Sequence, residues 1–359
     1  MTDTPEQAME NSVTPPPAAR KSSASPMRPL LGMPVPQAAA IVAAMQLDKA
    51  SEAYQRLSKL PDSDALHDFR VGLRQLRSTF SAYPEAFPSL PKKLRKRMRA
   101  LARDTNHARD ADVQLDWLQR NGRQIKGEAK LGYVWLVRQL ELRAAEAHRI
   151  VRVDVLEDFV TLEQQARAVL AHNETLDAEA VDAESLGHLC GEHLEELCEE
   201  LTFHLRHIET REDEDQLHAA RICGKRIRYL LTPLRAELKG SESVIRRLQR
   251  LQDLLGDYHD AQVFGDLLRS LVKKAAREQS GRWLELVLNA TADSRALARE
   301  RRQDMLTGIL AVARLVAKRK EKLLVQLGQL QAKGAQEQLL HDIAMLAARL
   351  QGHPERVGT

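Results

Sequence analysis

Past Gln37 the apolar residues recur at intervals of three and four rather than in alternation, the spacing of amphipathic helices. In the stretch from His67 to Phe80, a rotation of about 100° per residue gathers Phe69, Leu73, Leu76 and Phe80 on one side. His67, Arg70, Arg74 and Arg77 fall within roughly an 80° arc on another side. Pro61, Pro84, Pro88, Pro91 and Pro233 stand where such helices would start, stop or turn. Enrichment in Leu, Ala, Arg, Glu and Gln, with aromatics at 4%, excludes an all-β sandwich or barrel and predicts an all-α fold.

Eight of the 14 prolines fall within the first 36 residues, among Ser, Thr and Ala. Such a composition buries too little apolar surface to offset chain entropy, so residues 1–37 are expected to form a disordered tail. A helical body is expected over 38–328, followed by one more amphipathic segment and a frayed end over 329–359.

The body repeats itself. LHDFRVGLRQLRS from Leu66 aligns with LHAARICGKRIRY from Leu217, placing His67, Arg70, Arg74 and Arg77 against His218, Arg221, Lys225 and Arg228 at a constant offset of 151. A second pair of segments begins at Leu101 and Leu251. There Asp110, Ala111, Val113 and Leu118 recur as Asp260, Ala261, Val263 and Leu268 at an offset of 150. The chain therefore reads as a duplication, with one repeat over about 38–170 and the other over about 184–328. A pseudo-twofold packing is the natural expectation for similar units.

Each repeat presents a basic stripe about 15 Å long. Charge rows on helices are ordinarily solvated and balanced at i+3 or i+4, but here Asp68 is the single acidic residue interleaved in either stripe. Like charges at this spacing destabilise a helix until an anion or partner neutralises them. Lys92, Lys96, Arg99 and Arg103 extend the basic character in the first repeat, and Arg246, Arg247 and Arg250 in the second; Arg226 and Tyr229 sit at the edge of the second stripe. Together these residues are candidates for binding a multivalent phosphate ligand. The formal net charge of +4 hides the asymmetry, because residues 184–215 hold eleven Asp or Glu against Arg206 and Arg211. That segment reads as a solvated helix and loop, with an anion-mimicking flap as the functional alternative.

The basic motifs, with RDADV at Arg109–Val113 and LLGDYHDAQV at Leu254–Val263, resemble the CHAD family, the conserved histidine α-helical domain, over about residues 40–325. The resemblance implies two four-helix-bundle-like halves around a basic central cavity, and non-catalytic binding of inorganic polyphosphate. Polyphosphate or polyhydroxyalkanoate granules become expected locations within the cytoplasm. No E-x-E-x-K signature of the associated triphosphate-tunnel domain is found, so a stand-alone CHAD protein is expected. NHARD at Asn106–Asp110 faces GDYHD in the second copy, leaving the turn expected at Gly256 unmatched. Asp110 and Asp260 are expected to cap helices or orient arginines.

Several other readings compete. His67-Asp68 and His259-Asp260 are HD pairs of the kind found in helical metallophosphohydrolases, but Ala219 replaces Asp68 in the second repeat and no histidine precedes His67. His188, Glu192 and His193 are one residue too widely spaced for H-x-x-E-H. No metal, cofactor or catalytic residue is expected. Cys190, Cys198 and Cys223 form neither a disulfide framework nor a zinc motif. No segment has the roughly 20 apolar residues of a membrane span. Nucleic acid is the main alternative ligand, since any phosphate polyanion suits a basic groove; against it, Tyr229 is the one aromatic beside a basic stripe, too little for base stacking.

Overall fold

The computed structural model describes residues 29–59, 63–176, 184–208, 213–288, 304–332 and 334–352. Of the expected tail, residues 1–28 lie outside that set, as does Pro61. Residues 30–37 are not tail. Leu30 is buried, and the Leu30 and Leu31 amides donate to the Glu237 carboxylate at 2.9 and 3.0 Å. The Val35 amide donates to the Glu184 carbonyl and that of Leu186 to the Met33 carbonyl. Pro36 is accommodated in the first turn of its helix, where backbone N–H groups have no intrahelical partner.

The first half comprises α1 (Val35–Lys59), α2 (Ser63–Ala82), α3 (Lys92–Asn121), α4 (Lys130–Ile150) and α5 (Leu156–Leu176). A π-helical turn, Val151–Val155, runs α4 into α5. The second half comprises α6 (Leu186–Arg206), α7 (Glu214–Leu234), α8 (Ser241–Leu288), α9 (Met305–Ala332) and α10 (Ala335–Leu350). The fold is all-α; the described residues contain no strand, only an isolated bridge between Pro34 and Ser185.

Contacts within the halves correspond. Helix α1 packs on α2 and α5, and α3 on α2, α4 and α5; in the second half α6 packs on α7 and α10, and α8 on α7, α9 and α10. Contacts between halves join α1 to α6, α2 to α7, α3 to α8 and α4 to α9. The C-terminal segment, read from the sequence as one more amphipathic stretch after the body, packs onto it as α10, against α6 and α8, much as α5 packs against α1 and α3.

The apolar sides predicted for the two stripe helices are core. Phe69, Leu73, Leu76 and Phe80 are buried, with Phe69 edge-on to Phe159 of α5 at 4.8 Å; Cys223, Ile227, Leu230 and Leu231 are buried on α7. Close approach of helices needs small residues at two places. A methyl group on Gly72 would lie 3.0 Å from the Ala50 backbone, and one on Gly132 of α4 would lie 1.9 Å from the Met305 carbonyl oxygen of α9. Gly308 faces Gly132 at the same crossing. A second core, with Leu118, Leu136, Leu140, Phe264, Leu268 and Ile309, lies below this crossing.

Both NHARD and GDYHD lie inside uninterrupted helices, so the turn expected there does not exist. Asp110 and Asp260 are mid-helix residues and cannot be caps, which act on the free amides of the first turn. The acidic segment forms α6, whose Leu194, Leu201 and Leu205 are buried while Glu192, Glu195, Glu196, Glu199 and Glu200 are exposed, up to residues 209–212, which lie outside the described set.

Candidate functional site

Packing of α2 against α7 and of α3 against α8 brings the two basic motifs together. Arg70 is 9% exposed, Arg74, Arg77, Arg221, Lys225 and Arg228 are half-buried, and His67 and His218 are exposed at the N-terminal ends of their stripes. Arg74 acts electrostatically on Arg70 and Arg77 of its own helix and on Arg221 and Lys225 across the interface, which places it at the centre.

The charged forms are strained by this arrangement. Burial, and then the neighbouring Arg74, Arg221 and Arg228, pushes the Lys225 ammonium down to about 6. Burial and Arg74 lower Arg70 to about 10, and also lower Arg77 and Arg221. His67 and His218 both sit below the ordinary imidazole value, through partial burial and the positive fields of Arg70 and Arg221 respectively. Arg70 donates from Nη2 to Asn106 Oδ1 at 2.8 Å, while the buried Nε of Arg70 and that of Arg221 have no hydrogen-bond partner. Unpartnered guanidinium nitrogens therefore stand at equivalent positions of the two sequence repeats, each with a donor to offer.

One site residue was missed in the sequence. His259 of α8 stacks obliquely on His218 with ring centroids 5.4 Å apart, and burial followed by Arg221 holds it down to about 4. Its signal was present, because the offset of 150 pairs it with Arg109, but it was weighed only as half of an HD metal motif. Asp68 of the other HD pair is engaged by Arg56 at 2.7 Å.

Other expected ligands are placed differently. Lys92, Lys96, Arg99 and Arg103 are exposed on α3; Arg99 reaches the field of Arg77, while Arg103 pairs with Asp104 at 3.0 Å. Tyr229 is half-buried beside the stripe, with the Arg228 guanidinium 5.6 Å from its ring centroid. Arg226 turns instead into a cleft between α2, α6 and α7 with Ser78, His193, Glu196 and Glu200. Arg246 pairs with Glu242 at 3.1 Å, and Arg247 is clamped by Asp342 of α10. Arg250 lines a small apolar cavity with Leu251, Leu330 and Leu339. Arg247 and Arg250 thus sit where α8 meets the C-terminal helices, whereas Arg246 stays exposed beside Glu242 of its own helix.

Metal-binding geometry occurs at one place among the described residues: Glu184, His188 and Glu192, all exposed, present ligand atoms within 4.8 Å of one another. His193 leans instead on Tyr83, with ring centroids 5.8 Å apart. The three cysteines are free and buried, and no helix among the described residues is long and apolar enough to cross a membrane.

An all-helical body that brings together two basic motifs repeated in its sequence defines the class. A sequence model of the CHAD domain matches residues 41–269, and the chain belongs to that family. The crystal structure of the CHAD domain from the plant Ricinus communis superposes with a TM-score of 0.61 at 20% identity, covering 89% of this chain and 95% of that one, which shows the shared fold. No curated protein sequence matches this chain. The CHAD family is associated with polyphosphate-related proteins.

Proposed function

We propose that this protein binds inorganic polyphosphate without turning it over, along the surface where α2 and α7 meet. The observation that carries this reading is the convergence of Arg70, Arg74, Arg77, Arg221, Lys225 and Arg228 from both repeats into one partly buried cluster, in which burial and neighbouring arginines disfavour the charged forms of Arg70, Arg77, Arg221 and Lys225. A chain of phosphates supplies regularly spaced negative charge and acceptor oxygens, which satisfies guanidinium groups by charge-assisted hydrogen bonds. His67, His218 and His259 border the same cluster and add cationic contacts on protonation. Binding of this kind would carry the protein to polyphosphate-containing or other storage granules.

The test is calorimetric titration of the intact chain with long-chain polyphosphate, duplex DNA and RNA at matched phosphate concentration and near-physiological salt, where weak attraction to polyanions is screened. Tight binding to polyphosphate, with nucleic acids weaker by at least about tenfold, is expected. Equal or tighter binding to nucleic acid would replace this reading with that of a nucleic-acid-binding surface.

A further inference from the structure

The cleft between α2, α6 and α7 that receives Arg226 differs from the basic cluster in carrying both signs of charge. Glu196 and Glu200 of α6 line it together with the Arg226 guanidinium of α7. All three side chains are exposed, and among the described residues none is in an ion pair; Arg226 and Glu196 make no side-chain hydrogen bond either. The cavity measures about 280 Å³, close to the lower bound of roughly 300 Å³ for small-molecule sites. Buried Leu197 of α6 and Leu230 of α7 give it an apolar part. Two of its polar groups are held in place from behind. The Cys223 thiol donates to Glu200 Oε2 at 3.3 Å, and the His193 ring leans on that of buried Tyr83, with centroids 5.8 Å apart. Polar groups fixed by their neighbours around a concavity with an apolar wall are the usual make-up of a ligand site.

The charges decide what such a site accepts. A phosphate or any other simple anion drawn to Arg226 meets two carboxylates, and a simple cation drawn to the glutamates meets a guanidinium. The cleft is therefore no extension of the polyphosphate surface, although Arg226 follows Lys225 directly in the basic motif. A molecule carrying both charges is accepted on both sides: its carboxylate accepts from the planar guanidinium fork while its ammonium donates to the glutamates. An α-amino acid bears the two groups on one carbon. Its side chain then falls to the apolar part of the cleft, where an aliphatic chain gains most from leaving water.

We propose that this cleft is a binding site for a small zwitterion, an α-amino acid with an aliphatic side chain. Arg226 holds the carboxylate, Glu196 and Glu200 hold the ammonium, and Leu197 and Leu230 receive the side chain. Ser78 brings α2 of the first half into the same cleft, so the occupant touches both halves of the fold. The assignment stands apart from the polyphosphate reading, since neither ligand's binding presupposes the other's.

The experiment titrates the intact chain near pH 7 with leucine, isoleucine, valine and methionine, and with the acid and the amine that remain when the ammonium or the carboxylate of each is removed, by saturation-transfer NMR. At least one of the four amino acids is expected to bind, with its acid and its amine each at least about tenfold weaker through loss of one set of charge-assisted contacts. Arg226→Gln is expected to lower the affinity for that amino acid at least about tenfold while leaving its amine within about threefold. Glu196→Gln/Glu200→Gln is expected to weaken the amino acid by a similar factor and to leave or raise the affinity for its acid. Failure of the wild type to bind any of the four overturns the proposal. So does an acid or amine that binds as tightly as its amino acid, or an amino-acid affinity unchanged in both variants. Should a variant fail to fold, the acid and amine series on the wild-type chain decides alone.

Discussion

The imidazoles of His218 and His259 lie 5.4 Å apart, one on each of two successive helices, and both are held below the ordinary histidine value by burial and the field of Arg221. Both are therefore neutral at pH 7, and a bound polyanion favours their charged forms. Affinity for polyphosphate is expected to rise as pH falls below about 6.5, with the His259 contribution complete only near pH 4. His259→Gln should flatten the lower part of that curve. A pH profile identical to that of the wild type would remove His259 from the site.

The same depression makes the empty protein acid-sensitive. A base whose folded value lies below its unfolded value is protonated preferentially in the unfolded chain, so His259 erodes stability as pH falls from about 6.5 to about 4 and no further. Denaturant midpoints measured across that window with and without polyphosphate are expected to differ more at acid pH than at neutral pH, because the bound anion favours the charged imidazole.

Lys225 is held at about 6 by burial among arginines, so it is neutral in the free protein between about 6 and its unfolded value of 10.5. The unfolded chain binds the extra proton in that range, and stability of the free protein is expected to rise with pH across it. Lys225→Met should stabilise the free protein by about 1–3 kcal/mol while weakening polyphosphate binding. A variant that loses stability at neutral pH would show that the lysine is paired in solution.

Arg74 is the preferred position for testing the anion site, because Arg70 is 9% exposed and hydrogen-bonded to Asn106, so charge reversal there would disturb folding. Arg74→Gln is expected to weaken long-chain polyphosphate binding about tenfold while leaving the melting temperature of the free protein unchanged or higher, since it removes repulsion on Arg70, Arg77, Arg221 and Lys225. Arg247→Ala should do the opposite, since Arg247 clamps Asp342 of α10: thermal stability drops and affinity holds.

Where α4 crosses α9, Gly132→Ala is expected to destabilise the fold by about 2–3 kcal/mol, read from urea denaturation, because the added methyl would meet the Met305 carbonyl backbone rather than a movable side chain. A neutral effect would mean that the crossing is looser than described.

The stripes were legible in the sequence because helical periodicity separates Arg70, Arg74 and Arg77 from Phe69, Leu73 and Leu76 without reference to anything distant. The repeat then supplied the second copy. Pairings that depend on how helices meet were not legible. Nothing local in Arg247 announces Asp342, some 95 residues away, and nothing in Gly132 announces Gly308. The turn expected at Gly256 failed because a glycine, read as a loop residue, is tolerated inside a long helix held by tertiary packing. Leu30 and Leu31 were assigned to the tail on composition, yet two amide donors to Glu237 tie them down.

The central claim is that the α2–α7 surface holds the polyphosphate chain, and diffraction from crystals grown with polyphosphate tests it most directly. The account predicts continuous phosphate density passing Arg74 and Lys225, with oxygens within hydrogen-bond distance of the Arg70 and Arg221 Nε atoms. Density confined to the exposed Lys92–Arg103 face of α3, with the α2–α7 surface empty, would contradict it.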